Sequence, residues 1–131
     1  MPTIRVLVVD DSRIVREELP TLLNLEEDIE VVGVAEDGSV AKERVTELSP
    51  HIVIMNVEMS NMGGLEATRQ LKEKHPETAV ILLSIYDDPD YVAEGKRAGA
   101  STYVVKGAAI NDLAEIIRRV FRKEQIAEKF V

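Results

Sequence analysis

The sequence predicts an α/β fold in which a parallel sheet of five strands carries helices on both faces. Three observations predict it. Five short apolar runs rich in β-branched residues alternate along the chain with five stretches whose apolar residues recur at helical spacing. The central run, HIVIMN, is apolar at consecutive rather than alternate positions and lies between Pro50 and the Gly63-Gly64 pair, which reads as a strand buried on both faces. The chain has 131 residues, about one domain's worth, with no internal repeat and no low-complexity linker.

Taken in order, Ile4 to Val9 (IRVLVV) is the first strand and ends at Asp10-Asp11-Ser12, where Ser12 or Asp11 can accept bonds from the first free amides of a helix. That helix has its apolar positions at Ile14, Val15, Leu19, Leu22 and Leu23. Pro20 lies inside the pattern, where a missing amide and a ring clash cost about 3 kcal/mol, so a kink or an early stop is expected near Glu17 to Leu19. Ile29 to Ala35 is the second strand, and Asp37 or Ser39 caps a helix running to about Leu48, which Pro50 ends. After the central strand, Leu65 to His75 forms the third helix, stopped because the residue before Pro76 avoids the helical region. Ala79 to Ser84 is the fourth strand. Asp87 to Ala98 is a fourth helix of weak periodicity with Gly99 at its C-terminal cap, and Ser101 to Val105 is the fifth strand, with Lys106 at its end. The last helix, from about Ile110 to Lys123, places Leu113, Ile116, Ile117, Val120 and Phe121 on one stripe. Residues 124–131 keep Ile126, Ala127 and Phe130 near helical spacing and are read as a helix extension or a truncated linker beyond a domain of residues 1–123.

Composition excludes several classes of function. The absence of Cys removes thiolate catalysis and Cys-type zinc sites, and two isolated His residues make a His-based metal site improbable. A formal net charge of -8 argues against direct nucleic-acid contact, because phosphate backbones recruit Lys and Arg patches. No apolar stretch approaches the ~20 residues that span a bilayer, and the N-terminus lacks the regions of a signal peptide, so a cytoplasmic protein without membrane contact is expected.

In open α/β sheets, ligands and chemistry gather at the carboxyl ends of the strands. Here that edge collects Asp10-Asp11, Asn56, Ser84 and Lys106. Singly, each has an ordinary structural explanation: a helix cap, a turn residue, a solvated lysine. Together, at one edge, they favour a site. Crowded carboxylates repel unless a cation is present, and Mg²⁺ suits hard oxygen ligands. A carboxylate can attack phosphorus, a Lys can neutralise the transferring oxygens, and a hydroxyl can donate to the product phosphate. A flavin enzyme on the same fold is disfavoured, because VVDDSRIV places acids where a phosphate loop belongs.

At these residues the sequence closely resembles the receiver domain of two-component response regulators, from Ile4 to about Lys123, through the segments VLVVDDS, VIMNVEMSNMGGLEAT, ILLS and GASTYVVKGA. The resemblance implies a flavodoxin-like, doubly wound (βα)5 sheet of order 2-1-3-4-5. It further implies an acidic pocket at Asp10 and Asp11, a phosphoacceptor position at residue 56, a hydroxyl switch at Ser84, a switch aromatic at Tyr103 and a phosphate-pairing Lys106. Mg²⁺ is expected on Asp11, with Asp10 beside it, on residue 56 and on the backbone carbonyl of Glu58. The implied function is signalling rather than catalysis: phosphoryl transfer from a sensor histidine kinase, with output and homodimerisation through the face of the fourth helix, fifth strand and fifth helix. The Lys106-Gly107 ending, together with LEAT and GAS, looks most like the branch that carries a C-terminal helix-turn-helix DNA-binding domain, which is not in this chain.

Three residues depart from the family pattern. Asn56 stands where the phosphorylated aspartate belongs, Ser60 where a proline is common, and Pro20 interrupts the first helix. An amide is nearly isosteric with a carboxylate but its nitrogen is not a nucleophile and it carries no charge, so no aspartyl phosphate is expected and metal binding is weakened. Two origins of Asn56 stay open: a deliberate replacement of aspartate, or a natural pseudo-receiver acting as a phosphorylation-independent interaction domain.

Overall fold

The computed structural model describes residues 2–107 and 112–129, with side chains through Glu124. The elements are β1 (Ile4–Val9), α1 (Arg13–Leu23), β2 (Ile29–Ala35), α2 (Gly38–Leu48), β3 (Ile52–Asn56), α3 (Gly64–Lys74), β4 (Ala79–Ser84), α4 (Pro89–Ala98), β5 (Thr102–Val105) and α5 (Leu113–Lys129). The expected helix start at Ile110 and the side chains of Ile126, Ala127 and Phe130 lie outside the described residues.

All five strands are parallel and hydrogen-bond in the order β2-β1-β3-β4-β5. The central strands explain their own composition. Every residue of β3 and β4 is buried, because each strand has a neighbour on both sides and helices above and below. Alternate side chains then feed two separate core layers. Val6, Val8, Ile52, Ile54, Ile81 and Leu83 pack with Leu19 and Leu23 of α1 and with Leu113, Ile117 and Val120 of α5. Leu7, Val9, Val53, Met55, Val80 and Leu82 face the other way, onto Ala41 and Val45 of α2 and Ala67 and Leu71 of α3. On that second face α4 comes close enough that a Cβ on Gly95 would lie 2.9 Å from Leu82 Cδ1.

One expectation is corrected. The early stop expected near Glu17 to Leu19, the alternative to a kink there, does not occur: α1 runs to Leu23 with Pro20 inside it. Leu19 and Leu23, on either side of the proline, are 6% and 4% exposed. Burying each contributes about 1.5–3 kcal/mol, which offsets the ~3 kcal/mol cost of the proline. The turn is closed by the Asn24 amide, which donates to the Pro20 carbonyl at 2.9 Å. The apolar stripe also divides. Val15, Leu19 and Leu23 share the inner face, whereas Ile14 and Leu22, roughly 100° away around the helix, are 65% and 58% exposed. Smaller differences lie at element ends: α4 begins at Pro89 with Asp88 as its cap, and β5 begins at Thr102.

The first and last thirds of the chain are tied by Arg118 of α5. Its guanidinium donates to both Asp28 carboxylate oxygens at 2.8 and 2.9 Å and to Glu26 at 2.6 Å, and also pairs with Glu115 at 2.6 Å. No helix among the described residues is long and apolar enough to cross a membrane.

Candidate functional site

Parallel register brings the strand ends together. Val9 pairs with Met55, so Asp10 and Asn56 follow side by side; Asn56 pairs with Leu83, and Ser84 pairs with Val105, the residue before Lys106. Lys106 is anchored by its own backbone, its amide donating to the Ser84 carbonyl at 2.7 Å. The chain then turns at Gly107, whose φ of +114° is a backbone state open to glycine.

Asp10 is 2% exposed. Its Oδ1 accepts from the Ser12 amide at 2.9 Å, and its backbone carbonyl accepts from the Arg16 guanidinium at 2.9 Å. Oδ2 has no hydrogen-bond partner among the described residues and lies 3.6 Å from Lys106 Nζ. Asp11 is exposed, and its Oδ2 accepts from the Ser60 amide at 3.3 Å. A proline at position 60 has no amide to make that bond, so Ser60 joins the loop after β3 to the loop after β1.

Asn56 is 4% exposed. Its Nδ2 donates to the Glu58 backbone carbonyl at 2.6 Å, while Oδ1 is buried without a hydrogen-bond partner. Only a donor can face a carbonyl at that distance, which fixes the orientation of the amide. Close behind lies the start of α3. A Cβ on Gly64 would overlap the Asn56 carbonyl oxygen and lie 2.9 Å from Val57 Cα, so the glycine is required by the close approach of helix to strand end.

Ser84 is wholly buried. Its hydroxyl donates to Glu58 Oε2 at 2.8 Å and accepts from the Tyr86 amide at 3.0 Å. Tyr103 sits beside it on β5 and donates its phenol to the Tyr86 carbonyl at 2.9 Å. Burial raises the phenol above its ordinary range, so it stays a donor at neutral pH.

The edge therefore holds two carboxylates, an amide, a hydroxyl and an ammonium group. Among the described residues, no three His, Cys, Asp or Glu converge to hold a metal. The donor set still fits a hard cation in kind: Asp10 Oδ2 and Asn56 Oδ1 are buried oxygens lacking donors, and Asp11 stands at the mouth. The Glu58 carbonyl, the remaining expected ligand, is already engaged by the Asn56 amide. Sequence reasoning gave Glu58 only a backbone role. Its carboxylate, on Ser84 and on the Ile85 amide at 3.2 Å, carried no signal in the sequence because it depends on how the loop folds back.

Comparison with known proteins agrees with this geometry. The family model described as response regulator receiver domain matches residues 6–118. The chain is 38% identical over 133 residues to the response regulator GacA of Pseudomonas protegens, covering 98% of this chain and 62% of GacA. Among solved structures it is similar to the response regulator domain of Thermotoga maritima CheB, with 34% identity, a TM-score of 0.85 and 92% and 97% of the two chains covered. It is also similar to a DNA-binding response regulator of the LuxR family from Staphylococcus aureus, with 27% identity, a TM-score of 0.83 and 89% and 98% covered.

Proposed function

The chain belongs to the response regulator receiver domain family, and from that premise we propose that residue 56 is its phosphoacceptor position, silenced here by Asn56. Receiver domains are signalling modules of two-component systems. The observation that carries the reading is the Asn56 side chain itself, buried between Asp10 and Ser84 at the sheet edge with its nitrogen turned to the Glu58 carbonyl.

With aspartate at position 56, a carboxylate oxygen bonds to phosphorus as the phosphorus–nitrogen bond of a kinase phosphohistidine breaks, and the electron pair leaves on the imidazole nitrogen, which takes up a proton. Asp10, Asp11, residue 56 and the Glu58 carbonyl would hold Mg²⁺, which when bound would supply positive charge to offset that of the phosphoryl oxygens. Lys106 supplies a second positive charge from its position 3.6 Å from Asp10. Ser84 donates to a phosphoryl oxygen, and Tyr103 couples that movement to the face formed by α4, β5 and α5.

The cognate partner is a histidine kinase, and the α4-β5-α5 face serves output and homodimerisation. GacA extends well beyond the region matched here, and the S. aureus neighbour is described as DNA-binding. We assign the same arrangement to the protein from which this domain comes, with residues 124–131 leading to a DNA-binding output domain and the whole working in the cytoplasm. Mass spectrometry after incubation with a small phosphodonor and Mg²⁺ tests the central point. The unmodified chain is expected to gain no phosphoryl mass and Asn56→Asp to gain one; an adduct on the unmodified chain rejects the reading.

A further inference from the structure

Glu58 enters the site above through its backbone, but its side chain is seated elsewhere. Oε2 accepts from the Ser84 hydroxyl at 2.8 Å and Oε1 from the Ile85 amide at 3.2 Å, so one carboxylate occupies two adjacent donors at the end of β4. The same Ser84 oxygen accepts from the Tyr86 amide at 3.0 Å, and the Tyr86 carbonyl accepts from the Tyr103 phenol at 2.9 Å. At the other end, the Asn56 amide grips the Glu58 carbonyl at 2.6 Å. Hydrogen bonding is thus continuous from the centre of the sheet, through Glu58 and Ser84, to Tyr103 at the β5 edge.

We propose that the Glu58 carboxylate is a built-in occupant of the Ser84 hydroxyl and Ile85 amide, an autoinhibitory contact that an incoming anion must displace, held in place by Asn56. The inference rests on the reading of position 56 as the phosphoacceptor position. Each of the two donors has a single hydrogen, so neither serves Glu58 and a phosphoryl oxygen equally well at once. Charge acts in the same direction, because a second anion approaching Ser84 meets the Glu58 carboxylate already there. Asn56 strengthens the contact. Its N–H anchors the residue from which the carboxylate reaches back, whereas an aspartate at 56 has no hydrogen to give the Glu58 carbonyl. The latch is therefore firmest in the form that cannot be phosphorylated and looser in the form that can.

Two measurements on the full chain decide it. By NMR, the Ile85 amide is expected to exchange at least tenfold faster in Glu58→Ala than in the unmodified chain, with Glu58→Gln between them because its amide oxygen can still accept one bond. In the Asn56→Asp background, titration with beryllofluoride and Mg²⁺ is expected to give an apparent Kd at least fivefold lower when Glu58→Ala is added. Unchanged exchange overturns the proposal. So does changed exchange with unchanged affinity, since a side chain that only braces the loop would behave that way. An Asn56→Asp chain that takes no beryllofluoride rejects instead the reading of position 56, and the inference falls with it; an Asn56→Asp chain that binds it equally with and without Glu58 rejects the inference alone.

Discussion

Asn56 Nδ2 lies 2.6 Å from the Glu58 carbonyl oxygen, a contact that a carboxylate at the same position cannot make. Replacing the nitrogen by a charged oxygen puts acceptor against acceptor and adds a negative group beside the buried Asp10 carboxylate. Without metal, Asn56→Asp is therefore expected to be about 1–3 kcal/mol less stable than the unmodified chain. A divalent cation supplies the missing positive charge, so Mg²⁺ should raise the melting temperature of Asn56→Asp clearly and that of the unmodified chain little. Thermal melts with and without Mg²⁺ check this, and an equal shift in both would sink it. Gly64 makes a different kind of demand. Alanine favours a helix by about 1 kcal/mol over glycine, but its Cβ here would overlap the Asn56 carbonyl oxygen, which belongs to a buried strand and cannot swing aside. Gly64→Ala is expected to lose about 1–3 kcal/mol net and to lower the melting temperature.

Among the elements, α1 is where local rules and tertiary packing disagree. Pro20 offers no amide to the carbonyl four residues before it, yet the helix continues because Leu19 and Leu23 are held in the core. Pro20→Ala is expected to stabilise the chain by about 1–2 kcal/mol, the helix gain being reduced by the greater freedom of the unfolded chain; urea unfolding measures it, and a loss of stability would show that the proline is a required part of the turn. The same helix marks the boundary of what could be read from residues alone. Strands β3 and β4 were legible because buried parallel strands are written as near-continuous apolar runs, as in IVIM and AVILL. The extent of α1 was not, because it depends on which side chains the sheet covers, and the same pattern gave no warning that Ile14 and Leu22 face solvent. At the site, the polar residues at strand ends were legible through topology, since parallel strands deliver their ends to one edge. The Glu58 carboxylate and the Ser60 amide were not, because both act through loop geometry across separations of 26 and 49 residues.

For the molecule as a whole, the two-layered core fixes the sheet, and Arg118 joins α5 to the turn that opens β2, 90 residues away in the chain. The Arg118 side chain is 22% exposed, and its guanidinium meets both Asp28 carboxylate oxygens, with Glu26 and Glu115 alongside. In a chain of net charge -8, three acids gathered around one cation are held by that cation. Arg118 keeps the Asp28 carboxyl below the usual carboxylate range through its hydrogen bonds, and the acids in turn raise the Arg118 value further, so the arginine does not titrate. The sign follows. A group whose pKa is lower in the folded state adds stability above its unfolded value, near 4, and that stability is lost as the pH falls through the folded value. Arg118→Ala is expected to cost about 1–2 kcal/mol at pH 7, or roughly 3–8 °C in melting temperature. The pairs are partly exposed, so salt should narrow the difference. Lowering the pH below about 4 should narrow it further, because protonated carboxyls no longer need the guanidinium. Melts of both chains at pH 7 and pH 3 decide the matter. A gap that persists at pH 3 would assign the role of Arg118 to packing of its methylene stem against α5 and the β2 turn rather than to its charge.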